Sequence, residues 1–452
     1  MSASKAFRAH TSQKNLRRQL RNSVPASQGI GLDGIHPGSI DSWDAKEIND
    51  LARQVSDSLR NGNYRFTSYR QGLALRGADR TPRVFAIPTI RDRLALSALK
   101  GTLHDVYKLS GPEPPQRKVA KLVSELDKGV YSHYIKLDLR DYFGQIRRDN
   151  LTRKLERDIR SSNVLDLLDR AIRNSTVPFG ERSRGLDSGP DGIPLGISIS
   201  SALAEIYLED FDRSVDTNHC FFRYVDDILV LSSGALDAQK LLINPLKRLG
   251  LEVHPAGTAG KHEVGQISDG FAYLGYEFNG TVVSIDERAV RRIERRLARL
   301  IAQAAKVARK GGHPSEVEKL LWHLDLTIGG CIIDGTARGW IRYFNRSNDL
   351  TTLGRLDGLV ESLLKRHSLA PNRQPKRFVS AFWSSRDNDK FRAYAFDFDR
   401  VTEAEARLHL EQFEGLRKSE VDGMSSNEAL AAYRRQVRRY TIDLERDLEP
   451  AS

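Results

Sequence analysis

The sequence predicts an α+β fold with more than one domain, and three observations support this. An apolar, aromatic and β-branched run covers residues 221–231, which is typical of β-strands. An apolar seam at helical spacing runs through residues 286–311, and a charged helix is predicted over residues 427–448. The chain has 452 residues, of which 39% are hydrophobic, so it can bury a sizeable core.

Two adjacent acidic residues, Asp226 and Asp227, interrupt the apolar run. The run therefore reads as two short strands that meet at a tight turn, with both carboxylates at the turn. Two unpaired charges inside a sheet would cost several kcal/mol, so we expect these carboxylates to face outward, toward a cation. For this segment alone, a surface hairpin with an acidic turn is the alternative interpretation.

A third acidic residue ends a second predicted strand, residues 133–139. The alternation of this strand places three apolar residues on one face and Lys136 and Asp138 on the other. Three carboxylates from two strands would form the oxygen-rich site that Mg²⁺ prefers. Two such ions can hold the attacking and the leaving oxygen of a phosphoryl transfer. The sequence therefore predicts a site for two Mg²⁺ ions, with Mn²⁺ as the alternative metal.

The chain carries a formal charge of +12 and has two cysteines, Cys220 and Cys331. A basic balance favours a polyanionic partner, although it does not separate RNA from DNA or from a membrane surface. So few cysteines exclude a cysteine-rich zinc module and a disulfide framework, and they fit a reducing interior. No apolar run approaches membrane-spanning length, so we expect no membrane partner and a soluble, cytoplasmic protein.

Three motifs, in order along the chain, resemble the palm motifs of the reverse transcriptase family. Residues 138–143 (Asp-Leu-Arg-Asp-Tyr-Phe) resemble the first motif, residues 192–208 (beginning Gly-Ile-Pro-Leu-Gly) resemble the second, and residues 224–227 (Tyr-Val-Asp-Asp) resemble the third. The resemblance implies a right-hand polymerase with fingers, a palm that contains an antiparallel sheet, and a helical thumb. It also implies an RNA-directed DNA polymerase, which is a nucleotidyltransferase. The implied catalytic residues are Asp138, Asp226 and Asp227, and the implied metal-binding set is Asp138, Leu139, Asp226 and Asp227.

Further features resemble bacterial members of this family. Residues 29–35 and 63–66 resemble the N-terminal extension of group II intron-type and related bacterial enzymes. Leu195 stands where group II intron and retroviral enzymes typically carry glutamine. This form of the motif resembles the abortive-infection and unknown-group reverse transcriptases, many of which act in defence against phage.

Residues 1–28 are basic and contain no acid, which favours a nucleic-acid-binding arm over an organelle transit peptide.

The resemblance also implies a nucleotide-binding site. In the family, a basic residue on each arm of the fingers hairpin grips the triphosphate, and Arg83 and, as a looser match, Arg76 hold these positions. Phe143 matches the bulky residue beneath the sugar, where a ring would collide with a 2′-hydroxyl and favour dNTPs over NTPs; core packing is its alternative role. Lys261 resembles the lysine that protonates or neutralises the departing pyrophosphate. The predicted set is Arg76, Arg83, Asp141, Tyr142, Phe143, Leu195, Gly196 and Lys261.

Two segments are predicted to bind nucleic acid. Residues 271–278 closely resemble the primer-grip hairpin of the family. Residues 286–311 form a helix whose surplus charge is nearly all positive, which favours a thumb helix against a duplex backbone over a solvated face. Three arginines of this helix lie four residues apart, so they form one slowly drifting stripe. The predicted contact residues are Tyr273, Leu274, Gly275, Arg291, Arg295 and Arg299.

We expect four parts: a basic arm (1–28), fingers and palm (29–279), a helical thumb (280–370) and a small, mainly helical C-terminal accessory domain (371–452). The expected partners are an RNA template, a DNA primer or product, and dNTPs. In bacterial defence systems of this kind a dedicated non-coding RNA often serves as template, and an oligomer or a second protein is left open.

Three other functions compete with RNA-templated DNA synthesis. The first is a group II intron maturase-like RNA splicing factor, which would use the basic thumb to fold intron RNA. The second is a template-independent or protein-primed DNA polymerase, suggested by Leu195, because a site without the usual glutamine has room for remodelling. The third is a non-catalytic RNA scaffold, against which the intact acidic triad argues.

Overall fold

The computed structural model describes residues 1–446 except 26, 28, 75–81, 110–112, 179, 182–190, 217–218, 312–313 and 370–373. The helices as far as residue 248 are α1 (Ala3–His10), α2 (Gln13–Asn22), α3 (Ala45–Arg60), α4 (Ile90–Tyr107), α5 (Pro115–Leu126), α6 (Tyr142–Gln145), α7 (Arg148–Asp158), α8 (Ser162–Arg173), α9 (Ser200–Asp216) and α10 (Asn244–Arg248). The later helices are α11 (Glu287–Arg309), α12 (Pro314–Gly329), α13 (Trp340–Tyr343), α14 (Thr351–Arg366), α15 (Phe378–Ser385), α16 (Asn388–Tyr394), α17 (Glu403–Glu414), α18 (Lys418–Asp422) and α19 (Ser426–Arg446). Within the described residues, none of these helices has the length and apolar character needed to cross a membrane.

The strands are β1 (Tyr69–Ala74), β2 (Arg83–Ile87), β3 (His133–Asp138), β4 (Thr176–Val177), β5 (Cys220–Tyr224), β6 (Asp227–Ser232), β7 (His262–Gln266), β8 (Phe271–Tyr273), β9 (Tyr276–Asn279), β10 (Val282–Ile285), β11 (Cys331–Ile333), β12 (Thr336–Arg338) and β13 (Phe396–Asp397). The chain forms two compact units. They are Met1–Glu113 with Val130–Gly265, and Pro114–Gly129 with Gln266–Ser452. The domain boundaries predicted at residues 28, 279 and 370 stay predictions.

A four-stranded sheet of the first unit has the order β5-β6-β3-β7. β6 is antiparallel to both β5 and β3. The strands form here because apolar and β-branched residues occupy most of their positions; Ile135, Leu137, Ile228 and Val230 are buried. Helix α9 packs on β5. The antiparallel pairs and the many helices confirm the predicted α+β class.

The basic N-terminal segment is folded into the first unit. Helix α1 packs on α4, and α2 packs on α3. Phe7, Leu16 and Leu20 are buried, because they lie on the apolar sides of α1 and α2. The basic side chains of this segment are exposed: Lys5, Arg8, Lys14, Arg17, Arg18 and Arg21. The exposed charges keep a nucleic-acid contact possible, and that contact stays a prediction.

The predicted fingers hairpin is present as β1 and β2. The two strands are antiparallel, from the pair Arg70 and Ile87 to the pair Ala74 and Arg83. The short strand β4 extends this sheet on the other side of β1, in parallel. Most of the residues that connect the two strands, 75–81, lie outside the described residues.

The second unit combines two small sheets with a layer of helices. The sheets have the orders β10-β9-β8 and β12-β11-β13. Helix α11 begins at the N-cap Asp286, whose carboxylate accepts from the Arg288 backbone N–H, and the helix packs on α12 and α14. Val290, Ile293 and Leu297 are buried along it, so the predicted apolar seam of this helix is confirmed.

Two histidines lie in an aromatic cluster of the second unit. The ring of Trp322 is 5.1 Å from the ring of His409, and the ring of His323 is 4.4 Å from that of Tyr440, as centroid distances. Burial lowers the pKa of both His323 and His409 to about 4. The apolar and aromatic surroundings favour the neutral imidazole because they cannot solvate the charged form.

Acid should destabilise this cluster. An unfolded histidine has a pKa of about 6.5, so between pH 6.5 and pH 4 the unfolded chain binds more protons and the free energy of unfolding falls as the pH falls. We expect a loss of about 2 kcal/mol per histidine between pH 7 and pH 5. Urea unfolding followed by tryptophan fluorescence at both pH values measures it. His409→Phe should remove its share of the loss, and an unchanged pH dependence in this variant would contradict the assignment.

Candidate active site

The structure brings the three predicted acidic residues together at one end of the four-stranded sheet. Asp138, the last residue of β3, pairs directly with Asp227, the first residue of β6. Asp226 lies in the turn between β5 and β6, and its carbonyl oxygen accepts from the Leu139 N–H at 3.1 Å. Because directly opposed residues share a face of the sheet, Asp138 and Asp227 point the same way. The two-strand arrangement predicted for these carboxylates is therefore present.

A lysine and a histidine side chain reach Asp138. The Lys261 Nζ lies 2.8 Å from one carboxylate oxygen, and the His254 Nε2 lies 3.2 Å from the other. The His254 backbone N–H also donates to the Asp138 carbonyl oxygen at 3.1 Å. The structure thus places Lys261, predicted to act on pyrophosphate, against one of the three carboxylates predicted to be catalytic. The sequence contains no signal for His254 at this site. Its position beside Asp138 follows from the fold, because the neighbouring Val253 forms an isolated β-bridge with Leu139.

The environment disfavours negative charge on the other two carboxylates. Burial raises the pKa of Asp227 to about 7; the charges of Asp138 and Asp226 act in the same direction, and that of Lys136 opposes them. Burial, followed by the charge of Asp138, also raises the pKa of Asp226. Lys136 is buried in β3, two residues before Asp138 and on the same face. Because neighbouring carboxylates raise the pKa values of Asp226 and Asp227, a bound cation would stabilise their charged forms.

The donor chemistry of these residues fits a hard divalent cation, which takes carboxylate and carbonyl oxygens as ligands. Within the described part of the chain, no group of three or more His, Cys, Asp or Glu side chains has the geometry of a formed metal centre. Both oxygens of Asp138 are engaged, one by Lys261 and the other by His254. A metal ion bound by this carboxylate would therefore displace these contacts.

The second predicted motif is fixed to the fingers strand β2 through the backbone. The Ala86 N–H donates to the Leu195 carbonyl oxygen at 2.6 Å. Gly196 has φ of +100°, and a Cβ atom there would lie 2.8 Å from the Ala86 carbonyl oxygen, so only glycine fits. Arg83, at the start of β2, is near enough to lower the pKa of Asp226 by its charge. Arg76 lies outside the described residues.

The three residues at 141–143 have different environments. Asp141 is exposed and has φ of +39°. Tyr142 is buried and its hydroxyl donates to the Ala204 carbonyl oxygen at 2.5 Å, so its side chain belongs to the core and only its backbone could meet a nucleotide. Phe143 is half-buried, with its ring centroid 5.6 Å from that of Tyr142. A half-buried ring is consistent with both roles considered for Phe143.

The predicted nucleic-acid-binding residues lie in the second unit. Tyr273 is fully buried. Leu274 and Gly275 form the turn between β8 and β9 with φ of +49° and +77°, and the Leu274 carbonyl oxygen accepts from the Tyr343 hydroxyl at 3.1 Å. Side chains on the outer face of α11 are exposed, namely those of Arg291, Arg295 and Arg299. The predicted arginine stripe is therefore open to solvent.

Part of the chain is similar to a known protein family, and solved structures resemble the chain more weakly. Residues 76–278 match the family model described as "Reverse transcriptase (RNA-dependent DNA polymerase)". No curated protein matches the chain. Among solved structures, apo telomerase from Candida tropicalis, truncated from its C-terminal domain, is 13% identical with a TM-score of 0.36, and the alignment covers 49% of this chain and 55% of the telomerase chain. Telomerase from Candida albicans in complex with a fragment of telomeric RNA is 12% identical with a TM-score of 0.42, covering 84% of this chain and 68% of that one.

The chain thus spans about half the length of the first of these telomerases. The matched segment contains strand β2 and all three carboxylates of the site. Residues 76–278 are therefore similar to the reverse transcriptase family, which is described as RNA-dependent DNA polymerases.

Proposed function

We propose that this protein synthesises DNA on an RNA template, adding dNTPs to a primer 3′-hydroxyl. The convergence of Asp138, Asp226 and Asp227 within the reverse transcriptase domain carries this proposal. These carboxylates, with the Leu139 backbone, would bind two Mg²⁺ ions, or Mn²⁺ in their place. Bound there, the metal would activate the primer hydroxyl and stabilise the charge on the transferred phosphate.

Basic residues of the first unit would neutralise the phosphate groups. Arg83 and Arg76 would neutralise the triphosphate, whose negative charge grows at the leaving group as the bond breaks. Lys261 would donate a proton to the pyrophosphate or neutralise it. Its position 2.8 Å from Asp138 supports a role at the reacting phosphates. Phe143 would exclude the 2′-hydroxyl of an NTP.

We further propose that the partners are an RNA template, which in the defence setting is a dedicated non-coding RNA, together with a DNA primer or product. The exposed arginines of α11 and the +12 charge of the chain support an RNA-binding role. The form of the second motif, with Leu195, supports a role in bacterial, cytoplasmic anti-phage defence. A group II intron maturase-like splicing factor is the competing role, and location of the gene inside such an intron would decide for it.

Primer extension tests the activity directly. The purified protein is given Mg²⁺, dNTPs and a labelled primer with an RNA template, a DNA template or no template, and the products are sequenced. RNA-templated synthesis predicts a complementary product that requires the template. Extension of equal yield without template would favour the template-independent alternative, and DNA linked covalently to the protein would favour protein priming. Sequencing of co-purified RNA and DNA identifies the natural template.

Sugar choice provides a second test. Replacing Phe143 by alanine should open space for a 2′-hydroxyl and raise the efficiency of NTP use relative to dNTP use about 10-fold or more. Incorporation efficiencies for each nucleotide measure the ratio. Phe143→Tyr keeps the ring and should keep the wild-type ratio. An unchanged ratio in a folded alanine variant would reduce Phe143 to core packing.

A further inference from the structure

The turn that carries Asp226 contains a strained residue. Val225 has φ of +57°. This left-handed region is costly for a β-branched residue, because its Cβ atom crowds the backbone. Such a conformation persists only where the surroundings hold it in place. The contacts of Val225 therefore bear on where the neighbouring carboxylates point.

A buried arginine holds this turn. The Arg223 Nη1 donates to the Val225 carbonyl oxygen at 2.9 Å, and the Arg223 side chain is only 5% exposed. The next carbonyl oxygen, that of Asp226, accepts from the Leu139 N–H. Both carbonyl groups of the turn are thus fixed, one by Arg223 and the other by the chain that continues from Asp138.

Arg223 is itself oriented by two carboxylates of α9. Its Nε and Nη2 donate to Asp212 at 2.8 and 2.5 Å, and its Nη1 and Nη2 donate to Glu205 at 3.2 and 2.6 Å. Glu205 and Asp212 are seven residues apart, so they lie on the same side of the helix. The planar guanidinium can make all these bonds at once, whereas a lysine ammonium is a single point of charge.

We infer that Arg223, held by Glu205 and Asp212, is a positioning residue that keeps Val225 left-handed and so aims Asp226 and Asp227. The inference deepens the proposed function, because the positioned carboxylates are those of the polymerase site. Arg223 does not touch the reacting groups. It acts through the backbone of the turn, as outer-shell partners of metal ligands commonly do.

Replacement of Arg223 by lysine tests this. The variant keeps the charge that Glu205 and Asp212 require but cannot also hold Val225. Mn²⁺ affinity, measured without substrate by electron paramagnetic resonance, should weaken about 10-fold or more, and kcat should fall about 10- to 100-fold. KM for dNTP should change little. Amide hydrogen exchange should increase at residues 224–228 and at Leu139.

Relief of the strain should rescue the variant. Adding Val225→Gly to Arg223→Lys should restore most of the Mn²⁺ affinity, because glycine adopts positive φ without being held. Arg213→Lys is the control: it makes the same change at an exposed arginine of α9, which pairs with Glu209 and not with the turn. We expect it to change neither Mn²⁺ affinity nor exchange at the turn.

One outcome would overturn the inference about Arg223, and a different outcome would overturn the proposed function. If Arg223→Lys only lowers the melting temperature, with normal Mn²⁺ affinity and normal exchange at the turn, Arg223 is a stabilising residue and the inference is overturned. If the wild type neither binds Mn²⁺ nor extends a primer, the proposed polymerase function fails. In that case, amide hydrogen exchange at residues 224–228 and Leu139, compared between wild type and Arg223→Lys, still shows whether Arg223 holds the turn.

Discussion

Replacing Asp226 and Asp227 together with asparagine should abolish dNTP incorporation while leaving RNA binding almost unchanged. Asparagine has a similar shape but no charge, so the site would lose its attraction for divalent cations. If this removes about 4 kcal/mol of transition-state stabilisation, the rate falls about 1000-fold. A radiolabelled primer-extension assay measures incorporation, and a filter-binding assay measures RNA affinity.

The matched control is Asp216→Asn with Asp237→Asn. Both residues are exposed, and the pair changes the charge of the chain by the same amount. This control should extend primers at the wild-type rate. Extension at near the wild-type rate by the Asp226 and Asp227 variant would show that the polymerase site is assigned to the wrong residues.

Reversing the charges of Arg291, Arg295 and Arg299 to glutamate should remove much of the affinity for template. Each phosphate contact by an arginine releases condensed counterion, so three lost contacts should reduce the slope of log affinity against log salt by about 2 to 3 units. At 50 mM salt the affinity should fall roughly 100- to 1000-fold. A salt series of binding measurements on wild type and variant gives both quantities.

The buried seam of α11 should keep the helix folded in this variant, because Val290, Ile293 and Leu297 are untouched. Circular dichroism checks the helicity. A second triple variant, with exposed Arg153, Arg157 and Arg160 changed to glutamate, changes the net charge equally and serves as control. Equal effects of the two triple variants would mean that net charge alone matters. Lines of identical slope and affinity for the α11 variant and wild type would contradict the thumb assignment.

The sequence predicted the convergence of the three carboxylates because its signals are local. Adjacent aspartates in an apolar run indicate a turn between strands. The alternating pattern of residues 133–139 indicates a second strand, and Asp138 lies at its end. The buried seam of α11 followed from the helical period in the same way. Short-range patterns of this kind predict the structure well, because a strand or helix that buries one face needs apolar residues at that spacing.

The partners of these residues were decided by the tertiary structure. Lys261 and Asp138 are 123 residues apart and meet only because the sheet forms between them. The same holds for His254 at Asp138 and for the bonds of Arg223 to Glu205 and Asp212. Hydrophobic periodicity specifies which side of an element is buried, but not which long polar side chain meets which carboxylate across it. Which polar side chains meet depends on how helices and strands distant in the chain pack together. This packing determines the ion pairs and the strained turn of this site.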